Sequence, residues 1–313
     1  MSNKIATREA YGKTLAKIGK ENNKIVVLDA DLSKSTKTAD FKKVCPERFI
    51  NMGIAEGNMM AVAAGMASCG KIPFTSTFAI FATGRAYEQI RNSICYPKLN
   101  VKVCATHAGI TVGEDGASHQ SIEDISLMRS IPNMVVISPS DAIETEAAIK
   151  AVAEYDGPCY VRLGRSKVSS VNDFSDYKFE IGKAVKHREG KDATIIATGI
   201  MVDAALEAYN ILAEEGIKVK VINIHTIKPI DEKAIVDAAR ETGLIITAEE
   251  HSIIGGLGSA VCEVVSENHP VHVIRVGIRD TFGESGKPDE LIKAYKLTAE
   301  DIVKEVKRGL NLK

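Results

Sequence analysis

The stretch ATHAGITVGEDGASHQ (105–120) brings together two histidines, His107 and His119, two adjacent carboxylates, Glu114 and Asp115, and three glycines. It follows an apolar run, NVKVC, that reads as a strand. The carboxyl end of a strand in an open parallel sheet is where ligands bind. As metal ligands the set is poor: the histidines lie twelve residues apart with no helical pairing, and the carboxylates fall between them at no recurring donor spacing. Taken singly, the residues have a plain reading. Asp115 and Gly116 form a turn, His119 caps the next helix, and His107 is a satisfied polar group at a strand end. Together in one loop they suit a polar ligand rich in hydroxyl or phosphate oxygens.

Three further stretches carry chemistry-bearing types. In NMGIAEGNMMAVAAGMASCG (51–70) the one charged side chain is Glu56, at the head of a small-residue, apolar helix. It is either a first-turn acid favoured by the helix dipole or a buried carboxyl whose pKa desolvation raises, able to donate to a ligand nitrogen; the apolar surroundings favour the second. In PFTSTFAIFATGRAYEQIR (73–91), Phe74, Phe78 and Phe81 stand near a strand end and, taken alone, read as core, before a helix carrying Arg85 and Arg91. LDADLSKST (28–36) ends a strand with Asp29 and Asp31 and runs into hydroxyls and Lys34, while Arg8 and Arg165 stand near the two ends of the same domain. Arg and Ser at loop ends complement phosphate oxygens.

The elements that must position these groups follow from periodicity. Short β-branched runs at 24–30, 101–106, 133–139 and 159–164 alternate with helix-period segments, the pattern of a parallel α/β sheet. After Arg165 the pattern lapses into SKVSSVNDFSDYKFE, a polar linker. A second βα series then runs through strands at 192–199, 218–224, 243–250 and 271–277, with helices over 202–215, from Asp231, from about Gly258 and at the charged C-terminus. The expected division is a first domain over 1–170, a linker over 171–187 and a second domain over 188–313. A length of 313 residues suits two domains. With 40 basic and 41 acidic residues the chain lacks a nucleic-acid or membrane-attracting charge footprint. Six scattered cysteines without a CxxC pair read as reduced, and no run approaches the length of a membrane span, so a reducing cytoplasm is expected.

The order of the motifs adds a resemblance. TREA, DADLSKS, NMGIAEGNM, TFAIFATGRAYEQIR, THAGITVGEDGASHQSIED, RSIPNMVVISPSD and RLGR run as they do in the pyrimidine-binding domain of transketolases. GGLGSAV and the series over 188–313 resemble the transketolase C-terminal domain. The resemblance implies two three-layer α/β domains with mostly parallel sheets, and a subunit of an enzyme that transfers a two-carbon ketol unit between sugar phosphates in the pentose phosphate pathway with thiamine diphosphate as cofactor. The Gly-Asp-Gly motif by which transketolases bind Mg2+ and the cofactor diphosphate has no counterpart: GEDG is followed by no asparagine between Asn133 and Asn172. The resemblance is therefore to the C-terminal subunit of a split transketolase, with the Mg2+ ligands on an N-terminal partner subunit and a homodimeric core in an α2β2 heterotetramer.

Residue by residue, the resemblance implies that Glu56 meets N1′ of the aminopyrimidine and assists loss of the thiazolium proton. Phe78 matches the aromatic stacked on that ring, Phe81 a second wall, and Asp31 an acid near the cofactor. Arg8, Ser35, His107 and Arg165 match groups holding the sugar phosphate, Asp115 an acid that reads a substrate hydroxyl, and His119 a histidine beside the reacting carbon. Gly57 and Gly84 depart from the family, which often has His and an aromatic there. The rival readings are half of another thiamine-diphosphate enzyme, such as a 2-oxoacid dehydrogenase beta subunit or a deoxyxylulose-phosphate synthase, and a non-catalytic subunit.

Overall fold

The computed structural model describes residues 4–172 and 177–312. Runs of β-branched residues become strands buried on both faces, the condition under which a parallel strand is continuously apolar. The first part of the chain gives β1 (Ile5–Ala6), β2 (Ile25–Asp29), β3 (Phe49–Asn51), β4 (Ile72–Ser76), β5 (Lys102–Ala105), β6 (Val135–Ile137), β7 (Cys159–Arg162) and β8 (Lys167–Val168). The second gives β9 (Val185–Arg188), β10 (Ala193–Ala197), β11 (Val219–Asn223), β12 (Thr226–Lys228), β13 (Leu244–Ser252) and β14 (His272–Ile278). Among the described residues the larger sheet has the order β12-β6-β7-β5-β4-β2-β3 and the smaller β14-β13-β10-β11-β9, while β1 and β8 form a separate ribbon.

Both sheets are parallel except at one edge. Strand β9 pairs antiparallel with β11, and β12 pairs antiparallel with β6. The parallel interiors match the sequence pattern; these two edges do not announce themselves, because VKHR and TIK are short and half polar. Strand β9 includes residues 185–187, at the end of the stretch read as linker. Strand β12 carries the second part of the chain back onto the first sheet, so the two domains share a sheet edge. That contact is continued by Ser138 N–H donating to the His225 carbonyl at 2.8 Å.

Helices cover both faces of the larger sheet. On one side Tyr11, Leu15 and Phe41 pack on Ile25 and Val27. On the other, Met59, Met60 and Ala63 of the helix Glu56–Ser68 pack on Val26 and Leu28, and this layer continues into Ile222, Leu257 and Val261 of the second domain. Local chemistry sets the helix ends. Asp141 caps the helix Ala142–Glu154 by accepting from Glu144 N–H, and its other oxygen accepts from Val171 and Asn172 N–H, tying down the start of the polar segment. Thr298 and Asp301 form a reciprocal cap for Ala299–Leu310.

The chain passes from β2 outward to β3 and then crosses to β4 on the other side of β2, so the strand order reverses between β2 and β4. Ligands of open α/β sheets sit outside the carboxyl ends at such a switch. The residues that lie there are Asp29 to Asp31 after β2, Thr77 and Phe78 after β4, and Thr106 and His107 after β5.

Candidate active site

From this switch point a continuous line of side chains runs from an acid to a guanidinium. Glu56, the first residue of its helix, is 2% exposed, and both its oxygens accept from Arg85 Nη1, at 2.9 and 3.0 Å. The Arg85 guanidinium lies 4.6 Å above the Phe81 ring, a cation–π distance. Phe81 stands 5.9 Å from Phe78, and Phe78 stacks on His107 at 3.8 Å. His119 meets both phenylalanines edge-on, at 6.2 and 5.4 Å. His107 Nε2 in turn accepts from Arg8 Nη1 at 3.2 Å, and Arg8 also donates to the Ser35 carbonyl at 2.9 Å.

The local backbone explains why these groups converge. Phe78 and Thr106 are bridged in parallel just past β4 and β5, which sets Phe78 beside His107. His107 holds a left-handed φ of 58°, uncommon for a residue with a side chain and characteristic of sites where the fold over-determines the backbone. After Phe78 the helix opens into a π-helical turn, Phe81–Arg85, a form frequent at functional sites. Arg8 enters from the first turn of the helix Thr7–Glu21.

The hydrogen bonds fix the tautomer of His107. A guanidinium has donors only, so Nε2 must be the acceptor and Nδ1 carries the hydrogen, which it donates to Thr106 Oγ1 at 2.8 Å. Burial and the charges of Arg8, Arg165, His119 and Lys37 pull the His107 pKa down to about 3. Burial and the charge of Arg165 also lower the pKa of Arg8. This end of the line gathers the Arg8 and Arg165 guanidinium groups around a neutral His107.

A test follows from the sign. The folded His107 pKa lies below its ordinary 6.5, so folding gains no proton there at neutral pH. A dianion among the same cations opposes their field and raises that pKa, so binding takes up a proton. Sulfate should bind with an affinity that rises as pH falls through the bound-state His107 pKa toward the free value of about 3, and His107→Asn should flatten that dependence. Calorimetric affinity that does not change with pH in the unmutated chain would contradict this reading.

The loop read first from the sequence divides between two attachments. Asp115 and Glu114 face Arg165, with Nη1 at 3.6 and 3.4 Å from their carboxylates, and Arg165 also donates to the Val112 carbonyl. His119 is not a helix cap, because the next helix begins at Asp124 behind Glu123; its Nδ1 pairs with Ser118 Oγ at 3.0 Å. Asp31 is held elsewhere: Asn51 Nδ2 donates to it at 2.8 Å, on the loop that leads to Glu56. Ser35 enters through its carbonyl rather than its hydroxyl. Among the described residues no three His, Cys, Asp or Glu side chains gather as a metal site.

Sequence reasoning gave Arg85, Lys37 and Gln120 no role. Arg85 stands in the same motif as Phe78 and Phe81, on the helix that follows them. Lys37 holds a left-handed φ of 71° that no motif signals. Gln120 Nε2 donates to the carbonyls of Ile110, Gly113 and Glu284, the last 164 residues away.

Comparison with known proteins places this geometry in a family. The model of the transketolase pyrimidine-binding domain matches residues 3–170, and that of the transketolase C-terminal domain matches residues 182–302. A protein of Methanocaldococcus jannaschii named as a transketolase C-terminal section is 54% identical over 96% of this chain and 94% of its own length. A 6-deoxy-6-sulfo-D-fructose transketolase subunit of a Clostridium species is 46% identical over 95% of this chain and 92% of its own. A solved structure described as a split gene transketolase, inactive beta4 tetramer, is 58% identical and superposes with a TM-score of 0.91, covering 99% of this chain and 100% of that one. The chain belongs to the transketolase family, as a subunit that carries its pyrimidine-binding and C-terminal domains.

Proposed function

We propose that this chain is the pyrimidine-side subunit of a two-chain, thiamine-diphosphate-dependent enzyme that moves a two-carbon ketol unit from a ketose phosphate to an aldose phosphate, as the pentose phosphate pathway requires. The observation that carries the reading is the line itself: an acid, an aromatic wall, a histidine pair and a cationic end, in the order a cofactor ring, a reacting carbon and a sugar phosphate would need. The residues fit the ring half of the cofactor. Glu56 is a buried carboxyl whose one bonded partner among the described residues, Arg85, is 53% exposed, and Phe78 and Phe81 supply an aromatic wall beside it. Thiamine diphosphate, held against these residues, would supply a carbon nucleophile for ketol transfer. Mg2+ and the diphosphate belong to an N-terminal partner subunit.

Within this chain, Glu56 exchanges a proton with the ring nitrogen, and the phenylalanines exclude water from the ring face. Asp31, near the loop into Glu56, borders the cofactor. His119, edge-on to both rings, serves the reacting carbon. Asp115 reads a hydroxyl, and Arg8, His107, Arg165 and the Ser35 turn hold the terminal anion. The sugar named for the Clostridium relative carries a sulfonate, and the same cationic end would receive either anion. The helix Glu56–Ser68 turns a face of Asn58, Ala61, Gly65 and Ser68 to solvent with no charge on it, which supports a homodimeric core within an α2β2 heterotetramer. The inactive tetramer in the description of the similar structure accords with a chain that needs its partner. The free cysteines accord with a cytoplasmic site of action. The division into 1–170, 171–187 and 188–313 stays the working one for the two domains and their linker.

Paired kinetics test the assignment of roles. Arg165→Ala should raise KM for ketose phosphates with little loss of kcat, because a phosphate contact is kept through ground and transition states alike. His119→Ala should lower kcat with a smaller change in KM. Equal losses in both parameters for both variants, on ketoses with and without phosphate, would reduce the loop to a structural turn.

A further inference from the structure

The loop that carries Asp115 and His119 grows out of the first sheet but is seated on the second domain. Ile110 is fully buried in the hydrophobic cluster of Ile195, Val221 and Ile246, and Ile122 packs against the same cluster. Between these anchors Thr111 N–H donates to Glu250 Oε1 at 2.6 Å. At the far end Ser252 N–H donates to the Ile122 carbonyl at 2.7 Å. The remaining contacts come from the segment between β14 and the helix Pro288–Ala294. A Cβ on Gly116 would lie 2.5 Å from Ser285 Oγ, so the Ser285 side chain packs against the Gly116 backbone there. Gln120 Nε2 donates to the Glu284 carbonyl at 3.0 Å while holding Ile110 and Gly113 of its own loop. Its Oε1 is buried against Gly283, where a Cβ would come within 1.8 Å. Tyr295 braces the segment from below, its hydroxyl donating to the Phe282 carbonyl at 3.0 Å.

We propose that the second domain is the seat of the 109–120 loop, and that Gln120 is the positioning residue through which segment 282–286 fixes where Asp115 and His119 stand. The proposal rests on the functional reading above and gives the C-terminal domain a part in the reaction although it contributes none of the side chains in the line from Glu56 to Arg8. The amide is suited to this task. Its two N–H groups bridge the two domains, one to the Ile110 carbonyl of the loop and one to the Glu284 carbonyl, with the Gly113 carbonyl at 3.4 Å sharing a hydrogen, and its neighbour in sequence, His119, moves with it. Displacing a substrate-contacting group by about 1 Å is enough to cost about 10²-fold.

Two variants test it in the chain reconstituted with its diphosphate-binding partner. Gly283→Ala drives a methyl group against Gln120 Oε1 from the second domain while leaving every residue of the loop unsubstituted, and Gln120→Leu removes the amide's hydrogen bonds at similar volume. Each should lower kcat/KM for a ketose phosphate by about 10- to 100-fold. Amide hydrogen exchange should accelerate across 113–120 in each, while thiamine diphosphate affinity and exchange around Glu56 and Phe78 stay as in the unmutated protein. Unchanged kcat/KM with an unchanged exchange pattern overturns the proposal. So does a loss shared by cofactor affinity and exchange throughout the first domain, or failure of both variants to fold, since either marks general destabilisation rather than positioning. An unmutated pair that turns over no ketose phosphate, with exchange still rising across 113–120 in the variants, would retire the functional reading and leave the seat in place.

Discussion

Glu56→Gln should lower ketol transfer by the reconstituted enzyme about 10²- to 10⁴-fold at saturating cofactor, the range a positioned proton-transfer group contributes. The substitution keeps shape and length but removes the group that can exchange a proton with a ring nitrogen. It should leave the fold alone for two reasons. The helix Glu56–Ser68 is held by Met59, Met60 and Ala63 in the core, independent of the acid. The partner left behind, Arg85, is already half exposed and can be solvated. A Gln side chain also offers one oxygen to the same guanidinium. Near-normal turnover would make Glu56 a helix-start acid and no more, the plainer of its two sequence readings.

Arg162→Met should destabilise the chain by about 3–5 kcal/mol, because it strands buried carboxylates without their cation. Arg162 is 7% exposed and faces Asp124 and Glu250, at 0% and 3%. Its Nε donates to Asp124 at 2.8 Å, and its Nη2 donates to the Glu250 carbonyl at 2.9 Å. Tyr160 completes the set by donating to Asp124 at 2.6 Å. Burial by itself would lower the Arg162 pKa, but Asp124 and Glu250 outweigh it and hold the guanidinium charged. The Glu250 pKa is raised by burial, with Arg162 opposing; removing Arg162 raises it further. A carboxyl whose folded pKa lies above its unfolded value binds protons more readily when folded, so stability is lost as pH rises through that window. The deficit of Arg162→Met should therefore be smaller at pH 5 than at pH 7. Urea unfolding that gives a deficit below about 1 kcal/mol would show the cluster to be solvated rather than sealed between the domains.

What the sequence revealed and what it hid follow from the range of the interactions. Of the buried parallel strands, β2, β10 and β11 are rich in β-branched residues, while β5, β7 and β13 contain or adjoin short apolar stretches, so local pattern identifies them. The helix beginning after Asp231 is announced by its cap, whose side chain accepts from Ala234 N–H. Strands β9 and β12 are specified by the sheet edges they complete, not by their own residues. At the site, Phe78, His107 and His119 stand in short motifs and could be picked out one by one. Their mutual stacking could not, because it depends on how β4 and β5 end side by side. Arg85 becomes visible only once the π-helical turn Phe81–Arg85 is in place. Gln120 and Glu250 belong to contacts between domains, spanning 164 and 139 residues. Periodicity and motif spacing, being local, carry no trace of either.

The central claim is that this chain holds the ring and sugar-phosphate half of a shared active site and needs a second chain for the diphosphate and its metal. It is tested most directly by assaying ketol transfer from a ketose phosphate with the purified chain alone, then with its diphosphate-binding partner, both with thiamine diphosphate and Mg2+ present. The account predicts no turnover by the chain alone and turnover on addition of the partner. Ketol transfer by the chain alone, free of any partner, would contradict it.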